Sequence, residues 1–304
     1  MAIGLQEFQA LFDRCSNWGR WGADDELGTL NLITPAVRVR AASQVREGFT
    51  VSCALPINTA ADVDNIRPGV HLMIRAGDVV QPDAPSVSDY LAIAPHGLAH
   101  SHLDALCHFS WKGQLYNGRP ASVVTSVGAT ANAITIGKDG IVSRGVLMDV
   151  PRLKGSSWLE PGTPITVADI EAAERAQGVT VESGDILLVY TGRWKRRRQV
   201  SEWSSRESLA GLHHDVPLWL RERGVSLLGF DGISDVIPHA VDGVGLPIHT
   251  LTLAAMGMQL LDNQNLEELS DACAERRRWE FMLVIAPLRI ERGTASMTNP
   301  IAIF

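Results

Sequence analysis

The chain has 304 residues, of which 45% are hydrophobic and 20% are charged. This balance is typical of a globular protein with a sizeable core and excludes an intrinsically disordered chain. The formal net charge of −7 argues against a nucleic-acid-binding surface or an anionic-membrane-binding surface. The four cysteines are widely separated, which predicts reduced thiols rather than a disulfide scaffold or a zinc ribbon.

The first residues lack a basic segment followed by an apolar run, so no signal peptide is expected. No stretch of the chain approaches the length of uninterrupted apolar residues that a membrane-spanning helix requires. These two features predict a cytoplasmic protein.

Three segments carry helix signals. Residues 5–13 place their apolar side chains on one helical face. Thr34 is a suitable N-cap for a second helix over Pro35 to Val45, with proline at its first position. A third helix is predicted to begin after Thr166 and to end at Gly178.

Short apolar runs lie between these helices and end at turn residues. They cover residues 145–150, 185–190, 226–230 and 281–286. Runs that are continuously apolar indicate strands buried on both faces of a sheet. The interleaved helix and strand signals predict an α/β fold, with a single domain over residues 1–304 and a mixed, largely buried sheet flanked by helices.

Polar residues collect after two of these strands. Thr191 and Arg193 follow one strand, and Asp231 and Ser234 follow another. Residues at the end of a strand can belong to a functional site on the sheet edge, and they can equally be turn or cap residues.

The densest cluster of chemistry-bearing residues lies between Pro95 and Phe109. Four of the nine histidines, at positions 96, 100, 102 and 108, surround Asp104. Imidazole nitrogen and carboxylate oxygen are ligands that suit Zn²⁺ and Mn²⁺. On a strand, His100, His102 and Asp104 would point to one face. The cluster therefore predicts a metal site, although such polar groups can also satisfy buried backbone partners.

The chain resembles the cyclase family of metal-dependent hydrolases, which includes bacterial kynurenine formamidase and isatin hydrolase. The second half of its signature, His-x-Gly-Thr-His-x-Asp-x-x-x-His, is matched by His102, Asp104 and His108. Other similar segments are Trp21–Asn31, Tyr190–Trp194, Gly229–Ser234, Pro247–Leu251, Ala286–Ile290, Gly293–Ser296 and Asn299–Ala302. The resemblance is strongest to the longer bacterial members. It implies the cyclase fold and a homodimer or higher homo-oligomer.

The resemblance also implies roles for single residues. His102 and Asp104 match metal ligands, and His108 matches the histidine that transfers protons in catalysis. His249 and Asp262 lie where members complete the metal site, although members usually carry glutamate in place of Asp262.

The chain departs from the signature at its first half. Leu98 occupies the position of the first histidine, and His100-Ser101 replaces Gly-Thr. Because leucine cannot bind a metal, we expect one divalent ion, Zn²⁺ or Mn²⁺, rather than two. His100 is a candidate to support the metal or the substrate.

The expected activity is metal-dependent hydrolysis of a C–N bond in an amide, aryl formamide or lactam, with His108 as general acid and base. Two alternatives remain: a lactone hydrolase or cyclase at the same metal, and a non-catalytic, metal-stabilised protein that binds a small molecule. Phe109 and Trp111 follow the motif and are candidates for an aromatic substrate pocket or for the core.

Overall fold

The computed structural model describes residues 2–78, 86–200 and 202–304. Its strands are β1 Thr50–Ser52, β2 Val70–Arg75, β3 Ser88–Ala92, β4 His102–Asp104, β5 Val124–Thr125, β6 Gly128–Ala129, β7 Ile141–Asp149, β8 Pro164–Ile165, β9 Ile186–Tyr190, β10 Gly211–Leu212, β11 Leu227–Phe230, β12 Leu260–Asp262, β13 Glu280–Ile285, β14 Ala295–Met297 and β15 Ile301–Ile303. Its helices are α1 Leu5–Cys15, α2 Pro35–Ala42, α3 Val150–Leu153, α4 Val167–Gln177, α5 Arg193–Gln199, α6 Val216–Arg223, α7 Pro247–His249 and α8 Glu267–Arg276. A π-helical segment, Thr250–Met256, continues from α7.

A nine-stranded mixed sheet organises the molecule, in the order β1-β15-β13-β7-β9-β11-β12-β4-β14. The four neighbouring strands β7, β9, β11 and β12 run parallel to one another, and the strands on both sides of them are antiparallel. The structure thus confirms the predicted α/β domain with a mixed sheet.

The predicted helices are present, with small differences at their ends. The Thr34 hydroxyl accepts a hydrogen bond from the Val37 amide, as expected of an N-cap, but α2 ends at Ala42 rather than at Val45. Thr166 and Asp169 form a reciprocal capping box, and Gly178 ends α4 in the left-handed conformation. A left-handed residue at this position is favoured as glycine because it has no Cβ.

The buried strands also follow the continuous apolar runs. Every residue of β9 and of β11 is buried, as is the second half of β7. These strands lie in the centre of one hydrophobic cluster that extends through the described residues. Strands buried on both faces explain why their sequences do not alternate between apolar and polar residues.

The parallel strands bring their carboxyl ends to one edge of the sheet. Asp149, Thr191, Asp231 and Asp262 lie at or just beyond the ends of β7, β9, β11 and β12. In open α/β sheets this edge is where ligands bind. Among the described residues, no helix has the length and apolar character needed to span a bilayer.

Candidate metal centre and active-site cavity

Strand β4 joins the histidine cluster to this edge of the sheet. It pairs antiparallel with β12, so that His102 lies opposite Asp262. Within β4 the side chains of His102 and Asp104 point to the same face because strand residues alternate. The side chains of His102, Asp104 and Asp262 are all buried. Two ligands predicted from the motif therefore meet one predicted from a distant part of the chain.

Asp104 is the central residue of the site. It is 0% exposed, and among the described residues neither of its carboxylate oxygens has a hydrogen-bond partner of acceptable geometry. Imidazole nitrogens nevertheless surround it: His96 Nδ1 and His102 Nε2 lie 3.0 Å and 3.3 Å from Oδ1, and His249 Nε2 lies 3.7 Å from Oδ2. A buried carboxylate without hydrogen bonds is costly unless a cation compensates it.

Hydrogen bonds at the far side of two rings set which imidazole nitrogens face Asp104. His102 Nδ1 donates to the His100 carbonyl at 2.8 Å. His249 Nδ1 donates to Asp235 Oδ2 at 2.6 Å. In both residues Nε2 is left for the site, with its lone pair available whenever it is unprotonated. A carboxylate or carbonyl behind a histidine is the usual outer partner of a metal-binding imidazole.

Asp235 also holds the backbone from which His249 projects. Its carboxylate accepts hydrogen bonds from the Ile248 and His249 amides at 2.7 Å and 3.3 Å. These amides belong to the first turn of α7 and lack partners within that turn. Asp235 was not predicted from the sequence. The available signal was an aspartate that precedes the predicted ligand His249 in the chain.

Two overlapping sets of side chains have the composition of a metal site. One is His96, His102 and Asp104, and the other is Asp104, His249 and Asp262. Within each set the potential ligand atoms lie within 4.8 Å of one another. Nitrogen and carboxylate donors of this kind fit Zn²⁺ or Mn²⁺. The residues present, together with the unpartnered oxygens of Asp104, fit a divalent ion.

His96 is the member of these sets that received no role from the sequence. It comes two residues before Leu98, which occupies the motif's first histidine position and lines the cavity wall. Its Nδ1 approaches Asp104 at 3.0 Å, and its Nε2 lies 3.0 Å from the Thr294 hydroxyl. His96 therefore supplies an imidazole beside Asp104 where the motif position itself does not.

His100 lies outside both sets. The expectation that a strand would align it with His102 was wrong, because β4 begins at His102. The ring of His100 turns to the Asn58 carbonyl, 3.1 Å from its Nε2. Its contribution to the centre comes from its own carbonyl, which accepts the hydrogen bond from His102.

Burial and neighbouring charges shift the pKa values of these groups in opposite directions. Burial alone would lower the pKa of His102, but Asp104 and Asp262 outweigh it and raise that pKa to about 9. The pKa of His249 is also raised, because hydrogen bonds to Asp235 and Asp262 outweigh its burial. The pKa of Asp104 is held well below its usual range by His102 in spite of burial. Without a metal, His102 and His249 hold their protons more tightly than a free imidazole does, in ion pairs with the neighbouring carboxylates.

His108 differs from the other histidines of the site. Burial is the main cause that lowers its pKa to about 4, and the nearby histidines add to this effect against the opposing charge of Asp104. It lines the cavity above the metal-ligand candidates and stacks on His96. At neutral pH it is an uncharged base facing the same space as Asp104.

A cavity of about 290 Å³ opens over the centre. Its floor carries the histidine and aspartate side chains, and its apolar wall consists of Leu98, Ile233, Ile237 and Leu246. Of the two aromatic candidates, the Phe109 ring lies 5.0 Å from the His249 ring. Trp111 instead packs edge-on against Phe8, with ring centroids 5.1 Å apart. Trp111 thus belongs to the contact with α1, and the sequence did not predict the apolar wall of the cavity.

The polar residues at the strand ends form a buried support for the site. Asp231 accepts hydrogen bonds from the amides of Thr191, Gly192 and Arg193 and from the Thr191 hydroxyl. The buried guanidinium of Arg193 donates to the Leu98 carbonyl at 2.7 Å and to Asn263 at 2.6 Å. It thereby connects the loop before β4 to the residue that follows Asp262.

The family model Cyclase, described as "Putative cyclase", matches residues 82–235, just over half of the chain. Among solved structures, one titled as a novel cyclase is 32% identical with a TM-score of 0.87, and the match covers 95% of this chain and 99% of the other. No curated protein matched in the corresponding search.

Two more distant structures share the fold. Isatin hydrolase A from Ralstonia solanacearum is 20% identical with a TM-score of 0.59, and the match covers 88% of this chain and 95% of the other. A predicted metal-dependent hydrolase from Bacillus stearothermophilus is 15% identical with a TM-score of 0.52, and the match covers 84% and 97%.

Proposed function

The chain belongs to the cyclase family, and from this we propose that it is a metal-dependent hydrolase that cleaves a C–N bond in an amide, aryl formamide or lactam. The observation that carries the proposal is Asp104, whose two buried oxygens lack hydrogen-bond partners while three imidazoles converge on them. A structural polar cluster would be expected to satisfy its own central carboxylate.

We propose that one divalent ion per chain, Zn²⁺ or Mn²⁺, is held by His102, Asp104, His249 and Asp262, with His96 beside them. The second carboxylate fits this assignment because Asp262 Oδ2 lies 3.3 Å from His249 Nε2. When bound, such an ion would polarise the substrate carbonyl and lower the pKa of the attacking water.

His108 is the residue we assign to proton transfer. Because its pKa is about 4, its free ring nitrogen can accept the proton of the attacking water at neutral pH. The imidazolium formed in this way then returns the proton to the departing nitrogen of the substrate. The side chains of Leu98, Ile233 and Leu246 in the cavity wall are apolar and offer no competing proton donor or acceptor. The proton therefore passes between His108 and the groups of the scissile bond.

A small substrate with an apolar body fits this space. The volume of about 290 Å³ suits a molecule with one or two rings. An aromatic amide or lactam would place its ring against the apolar wall and its carbonyl over Asp104. Oxygen leaving groups require the same machinery, so an ester or lactone is the alternative substrate class.

The test of this proposal combines elemental analysis with product analysis. Purified protein is expected to contain about one Zn or Mn per chain, and Asp104→Ala should lose it while remaining folded. Aryl formamides and lactams should be hydrolysed by the metal-loaded protein, faster than their ester and lactone counterparts. Full metal content in Asp104→Ala, or turnover that survives complete chelation, would overturn the proposal.

We further propose that the protein functions as a homodimer or higher homo-oligomer through the ribbon formed by β2 and β3. Every residue of β2 is exposed, and one face of the ribbon carries Val70, Leu72, Tyr90 and Ala92. Leu72 and Tyr90, which lie opposite each other, are 58% and 52% exposed. An isolated two-stranded ribbon is marginally stable in water, so this face favours a partner.

Light scattering should give a dimer or larger for wild type and for the control Val39→Glu, and monomer for Leu72→Glu. A monomeric wild type would overturn this proposal.

A further inference from the structure

The metal cavity shares part of its lining with a second cavity of about 250 Å³. Both are lined by His96, Gly97, Leu98 and Arg206. A substrate whose carbonyl lies over Asp104 can therefore extend along this loop into the second cavity. The chemical groups that line the second cavity therefore determine which extended substrates bind more tightly.

Two arginine residues, Arg67 and Arg206, line the second cavity. Both residues are exposed, and in the part of the chain that the structure describes neither side chain makes a hydrogen bond or ion pair. The carboxylate that lines the same cavity, Asp64, is already paired with Arg193 and Arg197, at 3.1 Å and 2.5 Å. The cavity thus carries two positive charges that its own acidic residue does not compensate.

The loop over residues 96–100 adds potential donors to these two cations. Its carbonyls point into the protein: those of Gly97, Leu98 and His100 accept hydrogen bonds from Asn263, Arg193 and His102. Over residues 2–78, 86–200 and 202–304, its amide N–H groups donate to no protein acceptor. Free amides next to arginine side chains are a common environment for oxyanions.

The metal centre itself does not account for this positive charge. A divalent ion would be balanced by the carboxylates of Asp104 and Asp262, which belong to the same centre. Among the described residues, the positive charge of Arg67 and Arg206 would remain uncompensated beside the metal cavity, where a guanidinium can bind a carboxylate through two parallel hydrogen bonds.

We propose that Arg206, together with Arg67, forms an anion subsite that binds a carboxylate of the substrate remote from the scissile bond. The preferred substrates are therefore anionic: compact amides or lactams with an apolar middle and a carboxylate at the far end. This inference rests on the proposed hydrolase function, and it specifies that the substrate of that hydrolase is negatively charged. Arg206 is the specificity-determining residue because it lines both cavities.

The binding test compares monocarboxylates with dicarboxylates on metal-loaded protein by calorimetry. Benzoate measures binding of one carboxylate, and isophthalate and glutarate carry a second one at different distances. Wild type is expected to bind at least one dicarboxylate about tenfold or more tightly than benzoate, because a second charged hydrogen-bonded pair is made. Arg206→Gln should lose this preference without a change in benzoate affinity, and Arg206→Lys should retain part of it.

Arg38→Gln is the matched control, since Arg38 is an exposed arginine of α2 away from both cavities. It should keep the full preference. An equal preference for dicarboxylates in wild type and Arg206→Gln would overturn the subsite. Phosphate and sulfate should also compete with the dicarboxylates less well in Arg206→Gln than in wild type. Equal competition by these anions in the two proteins would overturn the subsite as well.

The kinetic test separates the subsite from the proposed function. Wild type should hydrolyse 3-carboxyformanilide or 4-carboxyformanilide with a KM at least about tenfold below that of formanilide, and Arg206→Gln should raise only the KM of the carboxylated substrate. Protein that hydrolyses formanilides without this difference overturns the subsite alone. Protein that shows the Arg206-dependent dicarboxylate preference but hydrolyses no amide, lactam or ester overturns the hydrolase function alone.

Discussion

The imidazole rings of His96 and His108 stack with their centroids 3.7 Å apart and their planes 13° apart. Burial lowers the pKa of His108, and the neighbouring His96 reinforces that effect. The stack therefore connects a histidine that approaches Asp104 with the residue proposed for proton transfer.

His108→Gln should abolish most of the turnover and leave the metal in place. General acid–base catalysis by one side chain contributes about 10²–10⁴-fold, and this is the expected loss in kcat. Because the pKa of His108 is about 4, the neutral base persists across pH 6–8, so the acidic limb of kcat/KM for wild type should lie below about pH 5. Loss of metal from His108→Gln, measured by elemental analysis, would contradict the assignment.

His96→Gln and His100→Gln should differ in metal affinity although both remove a histidine from one loop. His96 Nδ1 lies 3.0 Å from Asp104, whereas the His100 ring hydrogen bonds to the Asn58 carbonyl. Competition with a fluorescent chelator should show binding at least about tenfold weaker for His96→Gln and unchanged for His100→Gln. The reverse order would mean that His100 turns towards the metal when the site is loaded.

The difference between these two histidines shows where sequence reasoning ends. Caps such as Thr166 and Gly178 depend on a few neighbouring residues, and so their helix could be predicted from the sequence. His96 reaches Asp104 only because the loop between β3 and β4 folds back over the sheet edge, a path that no local pattern encodes. Asp262 meets His102 because β12 pairs with β4, which are separated by more than half of the chain.

The family resemblance supplied what local patterns could not. It pointed to His249 and Asp262, and the structure brings both next to Asp104. It could not indicate Arg206, Ile237 or Leu246, because these residues lie outside the segments that carry the resemblance, and it gave Leu98 and Ile233 no role in a cavity wall. Substrate-contacting residues depend on side chains and loop paths that differ among proteins of one fold.

Asp235→Asn should weaken metal binding by about 10–100-fold, since Asp235 orients His249 rather than contacting the site. The amide cannot carry the negative charge that favours a hydrogen bond from His249 Nδ1. The control is Asp149→Asn, another buried aspartate, whose carboxylate bonds to Arg152 and Ser270 away from the centre. Metal affinity should be unchanged in the control, and equal losses in both variants would reduce Asp235 to a purely structural role.

The four cysteines should be unreactive in the folded protein. All are free and buried, and burial raises the pKa of Cys15, Cys53 and Cys107 to about 12. The thiolate is the reactive form, and it is scarce at pH 8 when the pKa is this high. Ellman's reagent should therefore titrate fewer than one thiol per chain in native protein and all four in denaturant. Rapid labelling of Cys107 would show that the loop next to His108 opens.

Metal binding should release protons and strengthen with pH. In the metal-free protein the pKa of His102 is about 9, so this imidazole carries a proton at pH 7 that a metal must displace, and the pKa of His249 is raised as well. The dissociation constant should therefore fall from pH 6 to pH 8.5. Calorimetry in buffers of different ionisation enthalpy should detect at least one proton released per ion at pH 7, and a pH-independent affinity with no proton release would contradict the ion-pair description.

The same shift predicts how the stability of the metal-free protein depends on pH. The folded pKa of His102 exceeds its unfolded value of 6.5, so its ion pairs stabilise the metal-free fold fully below about pH 6.5. This contribution is lost as the pH rises through 9, because the folded state then gives up the proton that it held more tightly. Urea midpoints of chelated protein should decrease from pH 6.5 to pH 9, whereas those of metal-loaded protein should not. His102→Gln, which lacks the titrating group, should show a smaller decrease when metal-free, and a decrease as large as that of wild type would assign the effect to other residues.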